Sequence, residues 1–227
     1  MTKTWFLGLL LCGTAGFAQV KIGVKAGLNI ASLPGDYPSY IANKPIGGFH
    51  AGFASEFKLA PKSSIVAEAL VSTQGGKTSY NPSTFETVKQ TINLTNLNVP
   101  VLFRYQVIEK LSVEAGPQIG FVVSAKNKLE YTNSTDPSLN ETIKLDGLNN
   151  GTFVSGGTTY SYQKAIRSVD FSVNVGLTYA VAKDFYLQAR YNRGLTAVDL
   201  NSTVGSNTNS LNLNNSVFQV SVGYNFY

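Results

Sequence analysis

The sequence predicts an all-β protein, an eight-stranded antiparallel up-and-down transmembrane β-barrel. Three observations support this fold class. Long segments alternate between apolar and polar residues, the connections between them alternate between long and short, and the charged residues keep to one face of the segments. Because successive side chains of a strand point to opposite faces, such alternation gives each strand one apolar and one polar face.

The clearest strand covers 111–125, with the sequence LSVEAGPQIGFVVSA. Its odd positions, from Leu111 to Ala125, are apolar, and its even positions are small or polar except at Val122. The segment is longer than the roughly five or six residues usual in soluble sheets, and it can cross a bilayer at a tilt. It therefore predicts a membrane-spanning strand.

Seven other segments alternate in the same way. In chain order, the eight predicted strands cover 20–30, 49–59, 65–74, 96–105, 111–125, 169–181, 185–192 and 218–226. Val66 and Leu70 are expected to point inward in the third strand. Pro100, in the fourth, has no N–H to donate to a neighbouring strand, so we expect a bulge or a local break there.

The connections are long at 32–45, 75–91, 126–167 and 196–215, and short at 60–62, 106–110 and 182–184. A soluble sandwich has no reason to collect its long loops at one end. Outer-membrane barrels have tight periplasmic turns and long external loops, so this order favours a barrel in the outer membrane.

Charged residues fall on the polar face of the predicted strands. They are Lys25, Glu56, Lys58, Glu68, Arg104, Glu114, Asp170 and Arg190. An Arg or Lys facing hydrocarbon costs roughly 2–4 kcal/mol at the bilayer midplane, so the apolar face is expected to meet lipid and the charged face the lumen. An eight-stranded barrel has room inside only for its side chains, which predicts a filled, salt-bridged lumen. Arg104 and Glu114 flank a short turn and are expected to be cross-strand neighbours.

The first residues differ from the rest of the chain. Residues 1–18 have a basic start, a short apolar run and small residues at the end, which predicts a signal peptide cleaved after Ala18, with the barrel domain covering 19–227. Cys12, the only cysteine, would be removed, which excludes disulfides and thiol chemistry from the mature chain. The net charge is +5, but the basic residues are scattered along the sequence, so no nucleic-acid partner is expected.

Four segments carry a family resemblance. They are LNVPVLFRY at 97–105, EAGPQIG at 114–120, Asp170-Phe171 with Val175-Gly176, and ARYNRGL at 189–195. With them the chain resembles the PorT-like outer-membrane β-barrel family of Bacteroidetes, small eight-stranded barrels of OmpA-like architecture. The run at 68–74, EALVSTQ, departs from the usual strand-three signature but keeps its parity. The resemblance implies a barrel in the outer membrane, and most members of that family have no assigned activity.

No catalytic, cofactor-binding or metal-binding residues are predicted. His50, the only histidine, is expected to point inward and to be structural. The acids Glu68 and Glu114, with Arg104, are explained by an ionic lumen. The Gly-Gly-Lys-Thr run at 75–78 lacks the upstream glycine of a phosphate-binding loop. Asp136 and Glu141 could contact calcium, but they belong to no spaced acidic ladder.

These features favour a structural or interaction role through the external loops, chiefly 126–167 and 196–215. The alternatives are a lipid-modifying barrel enzyme that uses His50, and a narrow pore. A soluble lipocalin-like barrel would instead bury its apolar face and expose the charges. The expected partners are outer-membrane lipid and, during biogenesis, the barrel-assembly machinery, which would read the apolar stripe of the last strand. The sequence names no external ligand.

Overall fold

The computed structural model describes residues 20–199, 202–204, 207–209 and 211–226; the predicted signal peptide, 1–18, lies outside the described residues. The strands in chain order are β1 Val20–Ser32, β2 Ala42–Lys44, β3 Ile46–Ala60, β4 Ser63–Ser83, β5 Glu86–Ile108, β6 Leu111–Asn133, β7 Glu141–Asp146, β8 Gly151–Ser155, β9 Thr158–Tyr162, β10 Val169–Ala180, β11 Phe185–Ala197, β12 Ser202–Val204, β13 Asn207–Asn209 and β14 Asn214–Asn225. One 3-10 turn covers Pro137–Leu139. Within the described ranges, no helix is long and apolar enough to span a membrane.

The predicted eight-stranded antiparallel barrel is confirmed. The strands β1, β3, β4, β5, β6, β10, β11 and β14 pair in that order, and β14 returns to β1 to close the ring. Each strand is hydrogen-bonded to its neighbours in sequence along this ring, which is the up-and-down connectivity that tight turns at one end allow. The short strands β2 and β7 add to the edges of β4 and β6, and β8–β9 and β12–β13 form separate hairpins.

The inside-out assignment of the two faces is also confirmed. Large apolar side chains on the outer face are exposed, for example Leu28 at 71%, Phe53 at 64% and Val220 at 51%. Charged and amide side chains on the inner face are buried, for example Lys25, Glu68 and Arg190. Val66 and Leu70 point inward as predicted, with 2% and 1% of their surface exposed.

Two of the predicted long loops are wrong over much of their length. Strands β4 and β5 continue through 75–91 and meet in a turn at Thr84 and Phe85, and β6 continues to Asn133. The alternation used for prediction requires one apolar face, and these extensions are polar or mixed on both faces because they stand beyond the apolar band. A sheet of extended strands therefore rises from one side of the barrel.

A register shift with β5 divides β6 into a part that ends at Val122 and a part that begins at Ser124. Leu97 pairs with Phe121 and Asn96 with Val122, but Thr95 pairs with Ser124, so one residue, Val123, is extra. A bulge of this kind reverses the parity of the residues that follow it. Ala125, predicted on the lipid-facing side, is consequently inward and 3% exposed, where it packs with Leu94, Val122 and Ile166.

The break expected at Pro100 is confirmed, but without a bulge. The β4–β5 ladder passes from the pair Ala67–Val101 to the pair Leu70–Asn98, skipping Pro100 without a change of register. Proline removes one ladder donor there, and the strand continues on the same alignment.

Candidate functional site

The centre of the lumen holds one acid between two bases. The carboxylate of Glu68 on β4 accepts hydrogen bonds from Arg190 Nη1 at 2.7 Å and Nη2 at 2.9 Å, and from Lys25 Nζ at 2.9 Å. The paired contact from Arg190 is the fork geometry that a guanidinium offers to a carboxylate. All three side chains are fully buried.

A second acid continues the chain of ion pairs. Glu114 Oε1 accepts from Arg190 Nη2 at 2.7 Å and Nε at 3.1 Å, and its Oε2 accepts from Arg104 Nη2 at 2.8 Å and Nε at 3.1 Å. Arg104 Nη1 then donates to Glu56 at 2.8 Å. The prediction that Arg104 and Glu114 are cross-strand neighbours is confirmed, since their Cα atoms are register partners.

Together Lys25, Glu56, Glu68, Arg104, Glu114 and Arg190 form what we call the ionic layer. Its members come from β1, β3, β4, β5, β6 and β11, so the layer crosses the inside of the barrel from wall to wall. Three acids balance three bases, and Gln188 joins Lys25 to Glu114 through bonds of 2.7 Å. Burying charge is tolerated only when each group is paired and hydrogen-bonded, as here. The predicted salt-bridged lumen is confirmed.

His50 lies inside the lumen, on the side of the ionic layer that faces the long connections, and is 1% exposed. Its Nδ1 is 2.7 Å from Asn29 Oδ1, and its Nε2 is 2.7 Å from Ser221 Oγ. A side chain on Gly27 would meet the imidazole, because its Cβ would stand 2.7 Å from His50 Cε1. A serine, an imidazole and an amide in this order resemble a hydrolytic triad. The barrel wall, however, separates this imidazole from the lipid outside.

The next layer toward the long loops is rich in amides. Asp170 accepts hydrogen bonds from Thr196 at 3.0 Å and from Asn215 at 2.6 Å. The buried side chains of Asn96 and Asn98 face the same region, next to Gly120. Neither asparagine stands out in the sequence, because an inward Asn on an alternating strand is indistinguishable from any other polar residue.

A cavity of about 360 Å³ lies above the barrel, under the long connections. Its wall combines apolar side chains such as Leu33, Ile92 and Leu213 with polar ones such as Gln90. Tyr37 lies at its edge and donates to Leu33 O at 3.0 Å. Burial raises the pKa of Tyr37 to about 12, and the nearby carboxylate of Asp199 adds to the shift, so this phenol remains protonated at neutral pH.

The outer membrane protein beta-barrel domain family matches residues 17–200 of the sequence. The chain belongs to this family. An outer-membrane β-barrel of this kind turns its short connections to the periplasm and its long ones to the outside, so the 360 Å³ cavity lies at the extracellular end. No curated protein matches the sequence.

Several solved outer-membrane barrels are similar in structure. The attachment invasion locus protein Ail of Yersinia pestis, in complex with the heparin analogue sucrose octasulfate, has 10% identity and a TM-score of 0.45, with 91% of this chain and 99% of that chain covered. Neisserial surface protein A has 12% identity and a TM-score of 0.39, with 90% and 97% covered. CarO of Acinetobacter baumannii has 11% identity and a TM-score of 0.39, with 89% and 97% covered.

The outer-membrane barrel carries aromatic residues at its periplasmic rim. The rings of Phe185 and Tyr224 are 4.8 Å apart, those of Tyr224 and Phe226 are 5.5 Å apart, and Tyr105 is exposed near the end of β5. Aromatic residues at this level are typical of the girdle that flanks the apolar band of an outer-membrane barrel. Tyr191, by contrast, lies in the middle of β11, paired with Val175 and Phe218, and is not part of this rim.

Two charged residues are more exposed than the predicted pattern implies. Lys58 was expected in the lumen and lines a pocket with Glu56 and Arg104, but it is exposed because it lies near the last residue of β3, at the periplasmic end of the barrel. Arg193 follows the predicted strand 185–192 directly, and it points outward, paired with Val173 and Ser216. Its neighbour Ser216 is polar, which marks the extracellular boundary of the apolar surface on that side.

The loop residues weighed as binding candidates have structural roles. Gly75 to Thr78 lie within β4, and the strand continues to Ser83. Asp136 accepts from Ser138 N at 3.0 Å and caps the 3-10 turn, and Glu141 accepts from Ser155 Oγ at 2.7 Å. The hydrogen bonds from Ser138 hold the pKa of Asp136 below its usual value.

Proposed function

We propose that this protein is a non-catalytic, non-conducting barrel of the PorT-like type, whose rigid body presents an extracellular recognition surface. The observation that carries the proposal is the ionic layer. Its six charged side chains join opposite walls of the lumen through hydrogen bonds of 2.7–3.1 Å. Ions passing through would have to break several charge-assisted bonds that are among the strongest in proteins.

The extracellular side supports the recognition part of the proposal. Binding sites are commonly concave and carry a few polar groups on an otherwise apolar wall, and cavities of about 300–1,000 Å³ accept small ligands. The 360 Å³ cavity at the extracellular end has this character. Loops and extensions on a rigid scaffold are the usual carriers of such function. The same proposal includes a cleaved signal peptide, an origin in Bacteroidetes and insertion by the barrel-assembly machinery.

Planar-bilayer recording tests the proposal directly. The purified mature barrel should give no conductance steps, while a porin reconstituted in the same membrane provides the positive control. Regular single-channel steps from the wild-type protein would favour the narrow pore instead.

The contact of His50 with Ser221 and Asn29 is the one observation that favours an enzyme. Against it stands the position of the imidazole inside the lumen, out of contact with lipid. We expect cells carrying His50→Ala to have the same lipid A mass spectrum as cells carrying the wild-type protein. A changed spectrum, with the barrel still heat-modifiable on a gel, would favour the lipid-modifying enzyme.

A further inference from the structure

The sheet that rises from one side of the barrel carries a cross-strand row of lysines. We call the extracellular sheet the part formed by β2, β7 and residues 77–83, 86–93 and 126–133 of β4, β5 and β6. Across it, register partners follow one another in the order Lys44, Lys77, Thr91, Lys128 and Lys144. Residues that are directly opposite in an antiparallel ladder lie on the same face, so these four lysines form one row.

This row faces away from the barrel axis. The alternate positions Gly76, Thr78 and Gln90 line the 360 Å³ cavity inside. A Cβ on Gly76 would stand 2.9 Å from the backbone nitrogen of Leu33, which confirms that this side of the sheet is covered. The lysines are on the opposite face of the sheet, which continues the outer surface of the barrel.

The neighbouring rows add more positive charge to this face. Lys89 lies opposite Glu130, and Lys126 lies opposite Asp146. The face therefore holds six lysines and two acids. Among the described residues, only Lys128 of these six forms an ion pair, with Glu130 at 2.7 Å. The pKa of Glu130 is held below its usual value first by that hydrogen bond and also by the charges of Lys77 and Lys89, as expected for groups sharing one face.

Folding alone does not account for this arrangement. Like charges directly opposite on a sheet are destabilising, and Lys44 faces Lys77 while Lys128 faces Lys144. The bulge at Val123 is what points Lys126 and Lys128 outward, because without it they would share the parity of the lumen. A local arrangement that opposes stability is most often found where a protein binds something.

The height of the row above the membrane indicates the ligand. Val123 is the last apolar outward residue of β6 and is 60% exposed. Lys126 and Lys128 follow three and five residues later, which at about 3.3 Å per residue and a tilt of about 40° is roughly 8–13 Å above it. The headgroup layer of a bilayer is about 5–8 Å thick on each side, so Lys126 stands at its outer boundary and the row through Lys128 stands about 5 Å above that boundary.

A groove beside the row has the character of a site for an amphiphile. It has a volume of about 610 Å³ and lies along β6 and β7. Val123 and Leu148 contribute apolar surface to it, and Lys126, Lys128 and Lys144 contribute three positive charges against the one negative charge of Asp146. Apolar surface on the membrane side with cations above it matches a lipid that carries its phosphate next to its acyl chains.

We propose that the outward face of the extracellular sheet binds phosphate-bearing headgroups of the outer leaflet, with Lys77, Lys128 and Lys144 as the principal contacts. The lysines would supply charge-assisted hydrogen bonds to phosphate oxygens. This inference does not depend on the closed lumen, and it would stand even if the barrel conducted ions.

The test measures retention of bis-phosphorylated lipid A by the full mature barrel in detergent, using native mass spectrometry. The variant is Lys77→Gln/Lys128→Gln/Lys144→Gln. Each lysine near an anionic surface contributes about fivefold in affinity, so we expect the variant to bind roughly 10- to 100-fold more weakly. The wild-type affinity should fall as salt is raised from 50 to 300 mM, and fully dephosphorylated lipid A should bind as weakly to the wild type as phosphorylated lipid A does to the variant.

The matched control is Lys62→Gln/Lys110→Gln/Lys183→Gln, which removes the same charge from exposed positions in the periplasmic turns. This control should retain lipid A at the wild-type level, and both triple variants should keep the heat-modifiable gel shift of a folded barrel. Equal loss in the two triple variants would overturn the proposal. So would equal binding of phosphorylated and dephosphorylated lipid A, or displacement of the lipid by millimolar inorganic phosphate alone.

Discussion

Arg190 is the residue on which the lumen depends most. Its guanidinium contacts both Glu68 and Glu114, and both carboxylates are buried with it. A lysine could reach one of these acids as a point charge but could not donate two hydrogen bonds to each, as Arg190 does. The chemistry of the side chain, and not only its charge, therefore holds β4, β6 and β11 together across the lumen.

Replacing Arg190 by Ala should strongly destabilise the barrel. The change leaves Glu114 with Arg104, and Glu68 with Lys25, as the remaining ion-pair partner, and breaking a buried ion pair by removing one partner costs about 3–5 kcal/mol. The free energy of unfolding in urea, followed by loss of the heat-resistant band on gels, measures the effect. Arg193→Ala is the control, an outward arginine on the same strand, for which we expect a change within about 0.5 kcal/mol. Equal losses in both variants would show that the ionic layer contributes nothing particular.

At the scale of the strand, the sequence predicts best where one face meets lipid. All eight spanning strands were predicted, because an apolar band next to a polar lumen produces strict alternation. The pair Arg104–Glu114 was predictable from its turn, whereas the contact of Glu68 with Arg190 joins residues 122 apart and depends on closure of the ring. The extensions of β4, β5 and β6 were missed because they have no lipid-facing side.

The bulge at Val123 reverses which residues after it face inward, so it predicts a different pattern of accessibility from simple alternation. In a Cys12→Ser background, a single cysteine at Ala125 should resist a water-soluble maleimide, because that position is 3% exposed, while a cysteine at Lys126 should react rapidly. Deleting Val123 removes the extra residue and makes Asn96–Val122 and Thr95–Ser124 consecutive pairs, so it should leave the two reactivities unchanged. Labelling is measured by mass shift on the folded protein. If Ala125→Cys reacted as fast as Lys126→Cys before the deletion, the assigned register of β6 would be wrong.

For the whole molecule, closure of the ring matters more than any single layer of side chains. β14 pairs with β1 on one side and β11 on the other, so both ends of the chain's sheet are joined by this one strand. It also brings Ser221 to His50 and Gln219 to Asn29 inside the lumen. Within lipid, an open sheet edge would leave backbone groups without hydrogen bonds, which is why spanning sheets close.

Deleting 218–227 should therefore abolish assembly in the membrane. The truncation exposes two unpaired edges, on β1 and β11, and it removes the apolar stripe that we expect the barrel-assembly machinery to read. The readouts are membrane fractionation and the heat-dependent gel shift. The control replaces 149–164 by Gly-Ser, which is a larger deletion and removes the separate β8–β9 hairpin. The two ends can be joined because a 3.0 Å hydrogen bond from Ala165 N to Gly147 O holds them close. This control should assemble and shift on heating as the wild type does. A heat-modifiable barrel recovered from the 218–227 truncation would show that the remaining seven strands can close without β14.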